Sequence, residues 1–207
     1  MKKINGIDVH KGNSCASHMP IQLELLNVFK PKKILELGCG FFSTKMYLEN
    51  KDCTKLVSIE SDSDEWFKKT EEQYSIHKNK KWEHLKISGL ENVTNFIKTA
   101  DNFDLIFVDG SEYRAEETNA SFEKSEIIIG HDTQWFFRDK YNIPKEYKKI
   151  DFKNFPISYG HNAGYSDNPW TTLFTSNLDV YEYFFALEEK KLYEKYSFPY
   201  VYDVVPY

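Results

Sequence analysis

Residues 33–40 read Lys-Ile-Leu-Glu-Leu-Gly-Cys-Gly, and this stretch decides the fold that the sequence predicts. The apolar run 34–37 is typical of a buried strand, and residues 41–48 are typical of a helix. Between them, Gly38 and Gly40 allow a tight strand-to-helix turn and let a ligand come close to the main chain. The start of the helix offers unpaired N–H groups to polar or anionic ligand atoms. The stretch therefore predicts a turn that binds a nucleotide cofactor.

The spacing of the glycines separates two kinds of cofactor. A dinucleotide fingerprint has a third glycine where this chain has Ser43, and the carboxylate of Glu36 would repel a pyrophosphate. The sequence Glu-x-Gly-x-Gly at 36–40 resembles the first motif of class I S-adenosylmethionine (SAM) dependent methyltransferases. The resemblance implies that Glu36 holds the ammonium group of SAM, directly or through water, and that Gly38, Cys39 and Gly40 cradle its methionine end.

Length and composition limit the class of protein. The chain has 207 residues, which suits one buried domain, and a net charge of -5 without a long basic run, which argues against a duplex nucleic-acid partner. Its three cysteines show no Cys-x-x-Cys spacing, which favours a reduced, cytoplasmic compartment. We find no apolar run that suits a signal peptide or a membrane span, and therefore expect no membrane partner. Whether the protein forms a homodimer is left open.

The rest of the chain alternates between predicted strands and helices. The predicted strands are 34–37, 55–60, 82–87, 103–108, 126–130, 147–152 and 171–175. The predicted helices are 21–29, 41–48, 62–76, 90–100, 115–122, one that carries Trp135, Phe136 and Tyr141, and 178–196. This alternation predicts an α/β fold with a doubly wound, mainly parallel sheet of seven strands, an N-terminal helical arm and a C-terminal helix.

We expect a single domain, 1–207, with three parts. Residues 1–30 form the N-terminal arm and helix, residues 31–144 the cofactor-binding core, and residues 145–207 the last strands and the C-terminal helix.

Polar residues follow the predicted parallel strands at the ends where ligands bind in open α/β sheets. They are Gly38 to Gly40, Glu60 with Ser61, Ser88, Asp109, and His131 with Asp132. An acid in the position of Glu60 can accept hydrogen bonds from both ribose hydroxyls of a nucleoside. Ser61 and Asp62 are predicted to flank the adenine, and Ser88 stands where many methyltransferases place an aspartate that binds the adenine amino group. The convergence of these groups at one edge predicts the cofactor site.

The resemblance becomes more specific at the ends of the fourth and fifth predicted strands. Residues 108–110 read Val-Asp-Gly and residues 131–132 read His-Asp, as in a class I methyltransferase subgroup that includes O-methyltransferases of natural products and sugars. Glu112 stands where that subgroup often has a histidine. The likeness covers 34–133, about half the chain. It implies methyl transfer from SAM to a small molecule, at oxygen.

The same resemblance implies two ways to activate the acceptor. Some related O-methyltransferases bind a divalent cation, and Asp109 and Asp132, with His131 beside them, match those ligand positions; Mg²⁺ or Mn²⁺ would suit them. Without a metal, His131 is the leading general base, with Asp132 orienting it or acting instead, and Asp109 nearby. His18 and His161 are further candidates to contact the substrate.

Two other functions remain open at this stage. The first is an NAD-dependent oxidoreductase, which the missing third glycine disfavours. The second is a SAM- or nucleoside-binding module without catalysis. Glu60 does not separate them, because dehydrogenases use an acid at the same position.

Overall fold

A sheet with helices on both faces forms the core of the protein. The computed structural model describes residues 2–4, 7–9, 18–78, 80–110, 112–133, 140–152, 171–188, 191–192 and 195–196. The strands are β1 Lys2–Ile4, β2 Ile7–Val9, β3 Lys33–Leu37, β4 Lys55–Glu60, β5 Trp82–Lys86, β6 Leu105–Val108, β7 Ile127–His131, β8 Lys148–Phe152 and β9 Thr171–Thr175. The helices are α1 Met19–Val28, α2 Ser43–Glu49, α3 Asp64–Tyr74, α4 Leu90–Thr99, α5 Arg114–Ser121 and α6 Leu178–Ala186.

Seven strands form the main sheet in the order β5-β4-β3-β6-β7-β9-β8. The first five are parallel, and β9 inserts antiparallel between β7 and β8. This confirms the predicted seven-stranded, mainly parallel sheet. The chain reverses its direction of winding between β3 and β6, and open α/β sheets bind ligands at such a switch point. The separate hairpin of β1 and β2 lies within the predicted N-terminal arm.

Alternating residues of the central strands enter two different cores. On β3, Ile34 packs with residues of α1, α2 and α6, whereas Leu35 and Leu37 pack with residues of α4. Because side chains alternate along a strand, Glu36 lies on the same face as Ile34. A carboxyl group therefore stands on the central strand with none of its surface exposed.

Local sequence explains where several helices begin and end. The Ser63 hydroxyl accepts the Trp66 N–H and caps α3, a role for which serine is well suited. Asn177 caps α6 in the same way. Pro20 lies in the first turn of α1, where its missing N–H is harmless, and α1 ends before Pro31. No helix in the described part of the chain is long and apolar enough to cross a membrane.

Two predictions of helix extent were wrong. Tyr141 lies in a non-helical segment, where its ring contacts Phe174. The last helix was predicted to run unbroken over 178–196, but α6 ends at Ala186 because Leu187 has an extended backbone. Trp135, Phe136 and His161 lie outside the described residues.

Candidate cofactor and reacting site

The two glycines of the turn after β3 have different surroundings. Gly38 has a φ of +85°, and a Cβ there would lie 2.4 Å from the Cα of Gly110. The close approach of the two strand ends and the positive φ therefore both require glycine at this position. A Cβ at Gly40 would meet only the Ser43 hydroxyl, at 3.7 Å. Space for a ligand beside the main chain thus exists at Gly40.

A buried chain of hydrogen bonds connects this turn to Glu36 on β3 and to the neighbouring strands. The Gly40 N–H donates to the Thr44 hydroxyl over 2.9 Å, and that hydroxyl donates to Glu36 Oε2 over 2.8 Å. The Ser58 hydroxyl donates to the same oxygen over 2.6 Å and accepts from Trp82 Nε1 over 3.0 Å. The carboxyl group of Glu36 is therefore held in one orientation by strand β4 and helix α2.

The other oxygen of Glu36 has different surroundings. Glu36 Oε1 is buried and has no hydrogen-bond partner among the residues that the structure describes. Burial raises the pKa of Glu36 to about 7, although hydrogen bonds from Ser43, Ser58 and Thr44 oppose the shift. A cationic donor at Oε1 would satisfy this oxygen and favour the carboxylate form. The predicted contact between Glu36 and the ammonium group of SAM stays a prediction.

Cys39 contributes to the turn in a way that the sequence did not indicate. Its thiol is buried, 3.4 Å from both Thr70 Oγ1 and His84 Nε2. Its carbonyl oxygen accepts the indole N–H of Trp66 over 2.6 Å. Burial raises the pKa of this thiol far above its ordinary value, so it is not a nucleophile. A ligand at the turn can meet Cys39 only through its main chain.

Glu60 ends β4 as a buried residue. Its Oε1 accepts the N–H groups of Asp62 and Ser63, at 2.9 and 3.0 Å, and Oε2 lies 3.8 Å from the Cys39 thiol. The two loop contacts fix the direction of the carboxylate. Oε2 is the oxygen that remains for ribose hydroxyls.

Lys86 joins Ser61 and Ser88, two residues predicted to bind the cofactor. Its ammonium donates to the Ser61 carbonyl at 3.1 Å and to the Ser88 hydroxyl at 3.4 Å. Ser61 and Ser88 are thus neighbours at the ends of β4 and β5. The sequence analysis missed Lys86; its position at the end of a strand was the signal that could have found it.

The predicted reacting residues meet at the ends of β6 and β7. His131 Nδ1 lies 2.9 Å from Asp109 Oδ1, and Nε2 lies 3.8 Å from Asp132 Oδ1. One ligand atom from each of the three residues falls within 4.8 Å of the others. Arg114, at the start of α5, adds Nη2 at 3.6 Å from Asp109 and 3.7 Å from Asp132. The sequence analysis did not single out Arg114.

The acidic and basic groups of this cluster stabilise one another's charged forms, and so shift one another's pKa values. Burial would raise the pKa of Asp109, but the charge and hydrogen bond of His131, with His18 and Arg114, lower it. Burial would lower the pKa of His131, but the two aspartates raise it to about 9. At neutral pH the imidazole is therefore mostly protonated, which weakens its case as the general base.

His18 reaches the same cluster from the N-terminal side. It is buried, and the centroid of its ring lies 4.8 Å from the ring centroids of both Phe107 and His131. The sequence had suggested that His18 closes over the site. The structure brings it next to the reacting residues as part of the packing of α1.

Comparisons with known proteins agree with this architecture. No protein-family model matches the sequence, and no curated protein matches it. An O-methyltransferase from Bacillus cereus in complex with S-adenosylhomocysteine matches with a TM-score of 0.56 and 13% identity, over 82% of this chain and 84% of that one. TomG of Streptomyces achromogenes, an O-methyltransferase in complex with SAM, matches with a TM-score of 0.53 and 13% identity, over 78% and 86%.

A third structural match is to an enzyme that is not an O-methyltransferase. A spermidine synthase in complex with the transition-state analogue AdoDATO matches with a TM-score of 0.52 and 14% identity, over 86% of this chain and 66% of that one. The chain thus has the Rossmann-like fold of class I SAM-dependent methyltransferases. The fold by itself does not identify the acceptor.

Proposed function

We propose that this protein transfers a methyl group from SAM to an oxygen atom of a small molecule. The observation that carries the proposal is the convergence of polar groups at one edge of the sheet. Glu36 lies near the end of β3, the turn at Gly40 follows that strand, Glu60 ends β4, and Asp109 and His131 stand at the ends of β6 and β7. These groups suit the ammonium, the ribose and the reacting end of one extended ligand.

Different residues would contact different parts of SAM. Glu36 Oε1 would accept from the ammonium group, and Glu60 Oε2 from the ribose. SAM supplies a methyl group already activated on a sulfonium, so the main task of the protein is alignment of the acceptor. Ser61 and Ser88, held together by Lys86, would border the adenine.

The acceptor hydroxyl would lose its proton to Asp132 or His131. Because His131 is mostly protonated at neutral pH, we favour Asp132, whose side chain is 35% exposed, as the proton acceptor. His131 then positions Asp109 and Asp132 through its two ring nitrogens.

Ligand-dependent thermal unfolding tests the cofactor. SAM and S-adenosylhomocysteine should each raise the Tm, whereas NAD should not, because a ligand stabilises only the state that binds it. Glu60→Gln should weaken SAM binding roughly tenfold, by loss of a charged hydrogen-bond acceptor. Glu83→Gln, which changes an exposed acid on the neighbouring strand, is the control. Stabilisation by NAD alone would replace this proposal with an oxidoreductase.

Turnover separates an enzyme from a binding module. The protein is incubated with SAM and pools of hydroxylated small molecules, and the formation of S-adenosylhomocysteine is measured. We expect product with at least one pool, and its loss in Asp132→Asn with SAM binding retained. Binding of SAM without turnover of any acceptor pool would favour the non-catalytic module instead.

A further inference from the structure

Arg114 is placed to counter the charge of both aspartates at the reacting end. It is the first residue of α5, and its side chain is only 18% exposed. Its Nη2 lies 3.6 Å from Asp109 Oδ1 and 3.7 Å from Asp132 Oδ2. One guanidinium therefore bridges two carboxylates that belong to two different strand ends.

His131 closes a ring of alternating charge with these groups. It contacts the Oδ1 atoms of Asp109 and Asp132 through its two ring nitrogens, at 2.9 and 3.8 Å. Asp132 thus presents one oxygen to the imidazole and the other to the guanidinium. Asp109 Oδ1 serves both cationic groups. Both oxygens of Asp132 and one oxygen of Asp109 therefore already face cationic groups of this chain.

A divalent cation does not fit this arrangement. Mg²⁺ and Mn²⁺ need direct contact with carboxylate oxygens, at about 2.0–2.2 Å. An arginine side chain keeps its charge at every pH that a protein tolerates, so it cannot make room by losing a proton. A metal between Asp109 and Asp132 would lie a few ångströms from the guanidinium, in a partly buried site where repulsion is strong. Asp109, His131 and Asp132 by themselves would suit a divalent cation. With the guanidinium of Arg114 beside the two aspartates, they do not.

We propose that Arg114 takes the place of a divalent cation between Asp109 and Asp132. It holds the two carboxylates apart and oriented, and it excludes metal from the site. Arg114 is thus a positioning residue for the proposed methyl transfer, which proceeds without a metal. The exclusion of metal is a property of the folded chain and does not require that the proposed function be correct.

Electron paramagnetic resonance of Mn²⁺ tests the exclusion directly, because the signal of the free aqueous ion falls when the protein binds it. The wild-type protein should leave the signal unchanged at millimolar Mn²⁺. Arg114→Gln should gain one Mn²⁺ site, with affinity at least roughly tenfold above the wild type, since the two carboxylates lose one of their two cationic neighbours and keep only His131. Asp132→Asn added to Arg114→Gln should remove that site.

Two further variants serve as controls. Arg114→Lys keeps a positive charge and should still exclude Mn²⁺. Lys55→Gln removes a cation 3.6 Å from Glu83, at the opposite end of the sheet from Asp109 and Asp132, and should behave as wild type. One Mn²⁺ site in the wild type that Asp132→Asn abolishes would overturn the proposal. A folded Arg114→Gln that gains no Mn²⁺ site would overturn it as well.

Thermal unfolding of the same samples with SAM distinguishes a failure of this proposal from a failure of the proposed function. If SAM fails to stabilise the wild type while Arg114→Gln gains Mn²⁺, the methyltransferase proposal is wrong and the role of Arg114 stands. If SAM stabilises the wild type and the wild type binds Mn²⁺, the role proposed for Arg114 is wrong and the methyltransferase proposal stands. Turnover by the wild type should also be unchanged by a chelator.

Discussion

Glu36 shows how far the fold can shift the chemistry of a single residue. Its carboxyl is fully buried on the central strand, and its pKa rises from 4.5 to about 7. The folded protein therefore binds more protons than the unfolded chain between these two pH values, and stability falls as the pH rises through 7. The shift corresponds to about 3 kcal/mol at high pH. The buried Glu36 carboxylate thus lowers the stability of the folded protein at high pH, at a position in the proposed cofactor site.

Glu36→Gln should remove this cost. Without ligand, the free energy of unfolding of the variant, relative to wild type, should increase between pH 5 and pH 8, by up to about 3 kcal/mol. Urea unfolding at a series of pH values measures it, with Glu83→Gln as an exposed control. A difference that does not depend on pH would contradict the buried, raised pKa. The same variant should bind SAM more weakly, because it lacks the carboxylate.

At the scale of elements, helix α3 holds the glycine turn in place. Trp66 Nε1 donates to the Cys39 carbonyl over 2.6 Å, and the Tyr74 hydroxyl donates to the Phe41 carbonyl over 3.2 Å. The two donors are eight positions apart on α3, so a single helix face fixes two carbonyls of the turn. The rings of Trp66 and Phe41 also pack, with centroids 4.6 Å apart.

Removing one of these donors should affect ligand binding more than folding. We expect Trp66→Phe and Tyr74→Phe each to raise the Kd for SAM by roughly threefold to tenfold, the value of one net hydrogen bond. Isothermal titration calorimetry measures the Kd. Tyr147→Phe is a matched control, because the Tyr147 hydroxyl donates to two carbonyls outside the turn. An unchanged Kd in both α3 variants would mean that the turn does not need this helix.

At the scale of the whole molecule, one buried acid joins the two ends of the chain. Glu24, on α1, is 1% exposed and accepts hydrogen bonds from Tyr183, Lys195 and Tyr196. Asn27 adds a further bond to the Tyr196 hydroxyl. The N-terminal helix, whose start brings His18 to the reacting residues, is thereby tied to the C-terminal part of the chain.

Loss of this connection should destabilise the protein as a whole. Glu24→Ala removes the acceptor shared by the buried Tyr196 hydroxyl, the half-buried Tyr183 hydroxyl and the Lys195 ammonium, and should lower the free energy of unfolding by about 2 kcal/mol. Chemical unfolding measures this loss, and hydrogen exchange should show weaker protection of α1 and α6. Glu182→Ala, at an exposed position of α6, is the control. If Glu24→Ala unfolds as the wild type does, the two ends are held by apolar packing instead.

Much of this architecture follows from local sequence. The apolar strands, the Ser63 cap and the glycine turn are local signals, and the structure confirms the strands and the sheet that they predict. Asp109, His131 and Asp132 could be grouped in advance because parallel strands end at the same edge. The end of α6 could not be predicted, because Leu187 carries none of the usual helix-stop signals.

The sequence by itself determined the class of fold and the residues at the strand ends, because both depend on periodicity and on turn chemistry within a few positions. Only the tertiary structure decided what surrounds them. Burial set the pKa of Glu36, packing against Gly110 explained Gly38, and the start of α5 brought Arg114 between Asp109 and Asp132. These properties arise from groups far apart in the chain, and Coulomb and desolvation energies depend on distance in space and not on distance in sequence.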